Sequence, residues 1–203
     1  MKIHEFTLAH TVYTNDQFPK DTKPKVVILG RSNVGKSSLI QTLIGAHKLV
    51  KISSTPGCTK SINFYDINHD FYLVDFPGYG FSYADEKEKN RWDSIIRYFF
   101  KHVNPIMLCL VLVDSRRDMD SVDKILFEYI KLFPCVVITT KCDKLSHTDL
   151  LKQLSKWKES IDANYFGSVA EIIPFSKLTK LGRQELLNII GRSCHTRNEK
   201  KEV

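Results

Sequence analysis

One stretch constrains this chain more than any other: an apolar run, Lys25-Val26-Val27-Ile28-Leu29, passes directly into Gly30-Arg31-Ser32-Asn33-Val34-Gly35-Lys36-Ser37 and then into a helix-forming segment at 37–44. The spacing G-x-x-x-x-G-K-[ST] between a strand and a helix is a phosphate cradle. Gly30 and Gly35 let the backbone turn tightly with its N–H groups pointing inward, and the following helix adds the positive end of its dipole. Lys36 has the reach to meet the β- and γ-phosphates of a nucleotide, and the Ser37 hydroxyl can ligate Mg²⁺. A strand running into a cradle running into a helix restricts the fold to an α/β sheet with ligands at the C-terminal ends of its strands.

The remainder of the sequence agrees with that class. Runs at 60–67, 71–75, 106–113, 135–140 and 170–175 read as strands, and amphipathic stretches at 87–101, 121–132, 148–161 and 182–190 read as helices. Asn68-His69 predicts a hairpin turn between the 60–67 and 71–75 strands. The alternation implies βαβ units and a mostly parallel sheet of six or so strands with helices on both faces. We expect an N-terminal arm over 1–24 with room for one short strand, a nucleotide-binding domain over 25–191, and a polar tail over 192–203. Trp157, at helical spacing from Leu151 and Leu154, is expected in the core.

Composition excludes the alternatives. Hydrophobic residues make up 42% and charged residues 26%, an ordinary globular balance that removes disordered and low-complexity classes. The longest apolar stretch, 106–113, is too short to span a bilayer, and the N-terminus carries no secretory leader, so the expected location is the cytoplasm and no membrane partner is expected. Five widely spaced cysteines without a C-x-x-C pair read as free thiols. The formal net charge of +7 is concentrated at the ends: residues 1–60 sum to +6, residues 151–203 to +4, and the middle to −3. Two basic ends are compatible with a polyanionic partner such as RNA.

Two further segments sharpen the nucleotide site. Tyr72-Leu73-Val74-Asp75-Phe76-Pro77-Gly78 is an apolar strand ending in D-x-x-G, where Asp75 can hold Mg²⁺ through water and the Gly78 N–H can reach a γ-phosphate. The strand Val136-Val137-Ile138-Thr139 runs into Thr140-Lys141-Cys142-Asp143. A carboxylate at Asp143 can accept from the N1–H and the exocyclic amino group of guanine, a donor pair that adenine lacks. The aliphatic stem of Lys141 suits the face of the base. Phe175-Ser176-Lys177, after the last strand, offers backbone to the guanine O6.

In this order and spacing, GRSNVGKS, DFPGYG, TKCD and FSK resemble the TrmE–Era–EngA–YihA–septin group of P-loop GTPases. GRSNVGKSSLI, STPGCTKSINFY and VDFPGYGFSYA resemble, within it, the EngB (YihA/YsxC) family of bacterial GTPases, over roughly residues 5–190. The resemblance implies a monomeric Ras-like domain that binds GTP and GDP with Mg²⁺, hydrolyses GTP slowly and acts as a molecular switch. It also implies a role in large ribosomal subunit assembly with an rRNA partner, and a link to cell division and septation. It places the nucleotide against Gly57, Cys58, Thr59, Lys60 and Ser61. Thr59 becomes the second Mg²⁺ ligand beside Ser37, with Thr55 the competing position. Cys58 stands where a basic residue is common. Asn33, in related GTPases, helps hold K⁺ between the phosphates, which makes Asn33 a catalytic candidate with Lys36. Arg31 is expected to face solvent.

Two departures bear on chemistry. Thr140 stands where most GTPases have Asn, so guanine choice falls mainly on Asp143. Tyr79 follows D-x-x-G where Ras-like enzymes carry a water-orienting Gln, which predicts slow intrinsic hydrolysis. An aromatic group at Tyr79, Phe81, Tyr83 and Trp92 is open to two readings, a nucleotide-ordered partner surface or packing of the next helix. Arg116 and Arg117 can contact RNA or pair with the acids beside them.

Overall fold

Val26 and Ile28 point to one side of a sheet and Val27 and Leu29 to the other, each side meeting its own apolar cluster, and this double burial explains why the segment reads as an unbroken hydrophobic run. The computed structural model describes residues 1–45, 61–79, 86–164 and 169–195. Seven strands form one sheet: β1 (Phe6–Val12), β2 (Lys25–Gly30), β3 (Ile62–Ile67), β4 (Phe71–Asp75), β5 (Ile106–Asp114), β6 (Cys135–Thr140) and β7 (Val169–Pro174). Their order is β1-β3-β4-β2-β5-β6-β7, antiparallel at β1/β3 and β3/β4 and parallel from β4 onward. The helices are α1 (Lys36–Ile44), α2 (Glu86–His102), α3 (Ser121–Ile130), α4 (His147–Asn164) and α5 (Arg183–His195).

The two faces divide the helices. Phe99 of α2, Leu126 and Phe127 of α3, and Trp157 and Ile161 of α4 cover Val27, Val111 and Val137 on one side. Leu39, Ile40 and Leu43 of α1 with Leu186, Leu187 and Ile190 of α5 cover Val26, Leu110 and Ile138 on the other. This is the single mostly parallel α/β domain the alternation implies, with Trp157 buried as expected. The 68–69 turn also forms: Asn68 and His69 sit at φ 52° and 61°, and the Asp70 N–H donates to Ile67 at 2.9 Å. Positive φ at both central residues suits the right-handed twist of a hairpin. α5 runs to His195, beyond the 190 expected, because Cys194 extends the buried stripe Leu186, Ile190 by one more turn.

The seventh strand comes from the arm. β1 is held by pairing with β3 and by Asn68, whose Oδ1 accepts from the His4 and Glu5 N–H groups (2.7 and 3.0 Å) while its Nδ2 donates to the Lys2 carbonyl at 2.9 Å. Further on, Lys25 is wholly buried, and its ammonium donates to the carbonyls of Lys23 (2.7 Å), Asp21 (3.4 Å) and Asn104 (3.4 Å), with the Asp21 carboxylate at 3.6 Å. Burial pushes its pKa down, and Asp21 opposes that shift. One side chain thus pins the end of the arm, the first residue of β2 and the turn before β5. Substituting Lys25→Met leaves those carbonyls without their donor. The expected loss is about 2–3 kcal/mol of unfolding free energy, read as a lower urea midpoint with an unchanged slope.

Candidate functional site

The ends of β2, β4, β5 and β6 converge at one edge of the sheet, and the cradle sits on the first of them. Gly35 is the N-cap of α1 at φ 118°, a left-handed conformation that side chains rarely adopt. At Gly30 the constraint is space: a Cβ there would lie 2.8 Å from Val34 Cγ1 and 2.9 Å from the Leu112 carbonyl. The Lys36 ammonium folds back over the loop and donates to the carbonyls of Gly30 (3.1 Å) and Arg31 (3.2 Å). Asn33, at φ 62°, and Ser37 are exposed on the open side, whereas the Val34 side chain is buried in the core.

β4 delivers Asp75 beside this loop. Its carboxyl is buried, its pKa is pushed up to about 6 by that burial, and the nearby Lys36 charge acts the other way. Among the described residues its Oδ1 has no hydrogen-bond partner, a costly arrangement for a buried carboxylate. An oxygen-preferring cation resolves it, and a carboxylate with the hydroxyl of Ser37 is the hard donor set that Mg²⁺ takes. The residues present therefore fit the expected ion. Phe76 turns into the core, so of the D-x-x-G segment it is the backbone that faces the loop. Gly78 approaches so closely that a Cβ would lie 2.6 Å from both the N and the Cα of Ser32. The Ser32 N–H donates to the Tyr79 carbonyl (3.2 Å) and the Tyr79 N–H to the Gly30 carbonyl (3.3 Å).

β6 brings in the T-K-x-D segment. The Thr140 hydroxyl is buried and its one proton is shared between the Val34 carbonyl at 2.7 Å and that of Val113 at 3.0 Å, tying the cradle to the sheet. Lys141 sits at φ 61°, and its ammonium pairs with Asp114 at 2.9 Å. The Arg116 and Lys141 side chains hold the Asp114 carboxyl well below the usual range, despite partial burial. Cys142 is buried and its Sγ lies 2.9 Å from the Thr139 carbonyl. Asp143 accepts from the Ser176 hydroxyl at 2.7 Å, which orients its carboxylate. The Phe175 N–H donates to Thr139 (2.8 Å) and the Cys142 N–H to Phe175 (3.3 Å), so these two segments are stitched together while the Phe175 ring packs in the core. Lys177 reaches Gln41 of α1 at 3.0 Å.

Ser61 is buried just before β3. Gly57, Cys58, Thr59 and Lys60, with Thr55, Phe81 and Tyr83, lie outside the described residues. Arg31 does not simply face solvent: it pairs with Asp120, which also takes Arg117 at 3.2 Å. Arg116 and Arg117 pair with neighbouring acids, and Tyr79 and Trp92 pack against the core. One residue that sequence patterns did not single out is Arg183, whose guanidinium donates to the Thr42 (2.6 Å) and Leu43 (3.1 Å) carbonyls at the C-terminus of α1. A cation there satisfies orphan carbonyls and complements the dipole of the helix that starts at the cradle.

Comparison with known proteins agrees with this geometry. The sequence model of the family described as "50S ribosome-binding GTPase" matches residues 25–141. A "Probable GTP-binding protein EngB" of Clostridioides difficile (strain 630) is 38% identical over 188 residues, covering 92% of this chain and 91% of that one. Its counterpart in Kosmotoga olearia is 41% identical over 192 residues, 94% and 99% of the two chains. Among solved structures, a crystal structure of a probable GTP-binding protein engB superposes with a TM-score of 0.63 at 23% identity, covering 85% of this chain and 99% of that one. Era, in complex with MgGDPNP and nucleotides 1506–1542 of 16S ribosomal RNA, superposes at 0.59 with 24% identity, covering 84% and 56%. Both structures share the fold. The chain belongs to the EngB (YihA) family of GTP-binding proteins, within the TrmE–Era–EngA–YihA–septin group of P-loop GTPases.

Proposed function

We propose that this protein is a guanine-nucleotide switch that binds GTP with Mg²⁺, hydrolyses it slowly and uses the difference between its two nucleotide states in assembly of the large ribosomal subunit. The observation that carries the base choice is the Asp143 carboxylate. Ser176 orients it, and it stands one strand-end away from a cradle to which Thr140 is hydrogen-bonded. Adenine has no pair of donors for such a carboxylate, and guanine has.

The chemistry follows from the same residues. Inward amides of the Gly30–Ser37 loop and the Lys36 ammonium solvate the phosphate chain, and their geometry is set before the nucleotide arrives. Ser37 and Thr59 are the ligands we assign to Mg²⁺, with Asp75 accepting from its water shell. When bound, the ion offsets charge on the β- and γ-phosphates. Attack by water on the γ-phosphate needs an orienting group, and Tyr79 has no carboxamide to offer; its hydroxyl instead donates to Asp123 at 3.0 Å. This supports a slow intrinsic rate. Asn33, exposed on the open side of the loop, is suited to help hold K⁺ against the phosphates and supply the missing positive charge.

The ribosomal role rests on the family description and on the basic ends of the chain. A nucleotide-stabilised scaffold for a ribosomal or division partner, with incidental hydrolysis, uses the same binding residues. Among the described residues no helix is long and apolar enough to cross a membrane.

Two measurements check this reading. Asp143→Asn is expected to weaken GTP binding about 100-fold, from the loss of two hydrogen bonds to a charged acceptor. The same variant is expected to gain affinity for xanthosine triphosphate, and an unchanged GTP affinity contradicts the assignment. GTP hydrolysis is expected to run at least severalfold faster in KCl than in NaCl of equal concentration, and to lose that difference in Asn33→Ala; equal rates for the unsubstituted protein remove K⁺ from the mechanism.

A further inference from the structure

The residue after the D-x-x-G glycine is tied to a helix that takes no part in the nucleotide site described above. Tyr79 is partly buried against the core, and its hydroxyl donates to Asp123 Oδ1 at 3.0 Å. Asp123 lies in the first turn of α3 and is fully buried. Its carboxylate also receives the Arg117 guanidinium at 2.7 Å and the Asp120 N–H at 3.2 Å. Asp120, the N-cap of α3, accepts from the Val122 and Asp123 N–H groups and takes both Arg117 and Arg31. Arg117 is held in turn from α4: its carbonyl accepts from Trp157 Nε1 (3.0 Å) and Gln153 Nε2 (2.9 Å). The phenol therefore ends in a carboxylate that cannot move without unpairing a buried charge.

The backbone of the same residue is held as firmly. Tyr79 exchanges hydrogen bonds with Gly30 and Ser32 of the cradle, and the Gly78 carbonyl accepts from the Ser32 hydroxyl at 3.3 Å. Gly78 is thereby pressed against Ser32, at a separation that only glycine allows. The Gly78 N–H is the group assigned above to the third phosphate and has no role toward the first two. Whatever fixes Gly78 therefore acts on a triphosphate and leaves a diphosphate untouched.

We propose that Tyr79, Asp123 and Arg117 form a latch of positioning residues that holds Gly78 in place for the γ-phosphate and so sets the preference of the site for nucleoside triphosphate over diphosphate. The proposal rests on the guanine-nucleotide reading and adds to it the residues that tell the two nucleotide states apart. The latch also gives the two states different consequences at α3 and α4, because Gly78 and the α3 N-terminus share one chain of hydrogen bonds.

Equilibrium binding of GDP and of a non-hydrolysable GTP analogue, both with Mg²⁺, tests it in the full chain with Tyr79→Phe, Asp123→Asn and a control, Tyr129→Phe. The control removes a Tyr-to-Asp hydrogen bond of the same type, from Tyr129 to Asp93, between α3 and α2. The expected result is a Kd for the analogue raised about tenfold in Tyr79→Phe, with the GDP value within about twofold of the unsubstituted protein, and neither value moved in the control. In the Asp123→Asn background, adding Tyr79→Phe is expected to change little more. Both constants rising together in Tyr79→Phe, or neither moving, overturns the latch. Retained GDP binding reports that a variant is folded. If Asp123→Asn fails to fold, the near-isosteric Tyr79→Phe carries the test alone. An unsubstituted protein that binds neither nucleotide removes the guanine reading itself, an outcome distinct from two equal shifts.

Discussion

A loop can turn its amides inward toward an anion only if its outward backbone groups are satisfied elsewhere, and that condition organises this molecule. The Val34 carbonyl is taken by Thr140, the Ser32 N–H by the Tyr79 carbonyl, the Gly30 carbonyl by the Tyr79 N–H, and the Gly30 and Arg31 carbonyls by Lys36. Three of these ties reach residues 47 to 106 positions away along the chain. An unpaired buried carbonyl costs about 1–3 kcal/mol, so the cradle exists only while the segment after β4 and the end of β6 reach it. The sheet order β4-β2-β5-β6 brings one of these from the strand beside β2 and the other from across β5.

The helices extend the same logic outward. α1 starts at the cradle and is closed at its far end by Arg183 of α5, which places both ends of one helix under control of distant segments. α3 starts at Asp120, which shares Arg31 with the cradle. Asp143 gains its orientation from Ser176, and Lys141 from Asp114. Lys36, Lys141 and Asp143 thus each have a second contact behind them, which is what keeps a site within a few tenths of an ångström of its working geometry.

Much of this was legible in the sequence because it rests on local signals. The strand KVVIL ending in a cradle, the D-x-x-G after an apolar strand, the Asn68-His69 turn and the T-K-x-D segment each declare themselves by spacing or by φ preference, and each lies where expected. What was not legible is long-range pairing. Lys25 reads as the first residue of a strand, and nothing in its neighbourhood says that its ammonium meets the carbonyl of Asn104. Arg31 reads as a solvent-facing loop residue because Asp120 is 89 positions distant. The sequence shows β1 only as room for a short strand: its pattern of exposed and half-buried residues is that of an edge strand, where alternation is weak and register comes from the partner.

A switch of this kind requires coupling between the nucleotide state and a partner. Cosedimentation of the protein with large ribosomal subunits, nucleotide-free, with GDP and with a non-hydrolysable GTP analogue, at low and at raised salt, tests it most directly. The expected result is binding mainly with the analogue, weakening as salt rises because phosphate contacts release counterions. Binding of equal strength in all three states, or none in any of them, contradicts it.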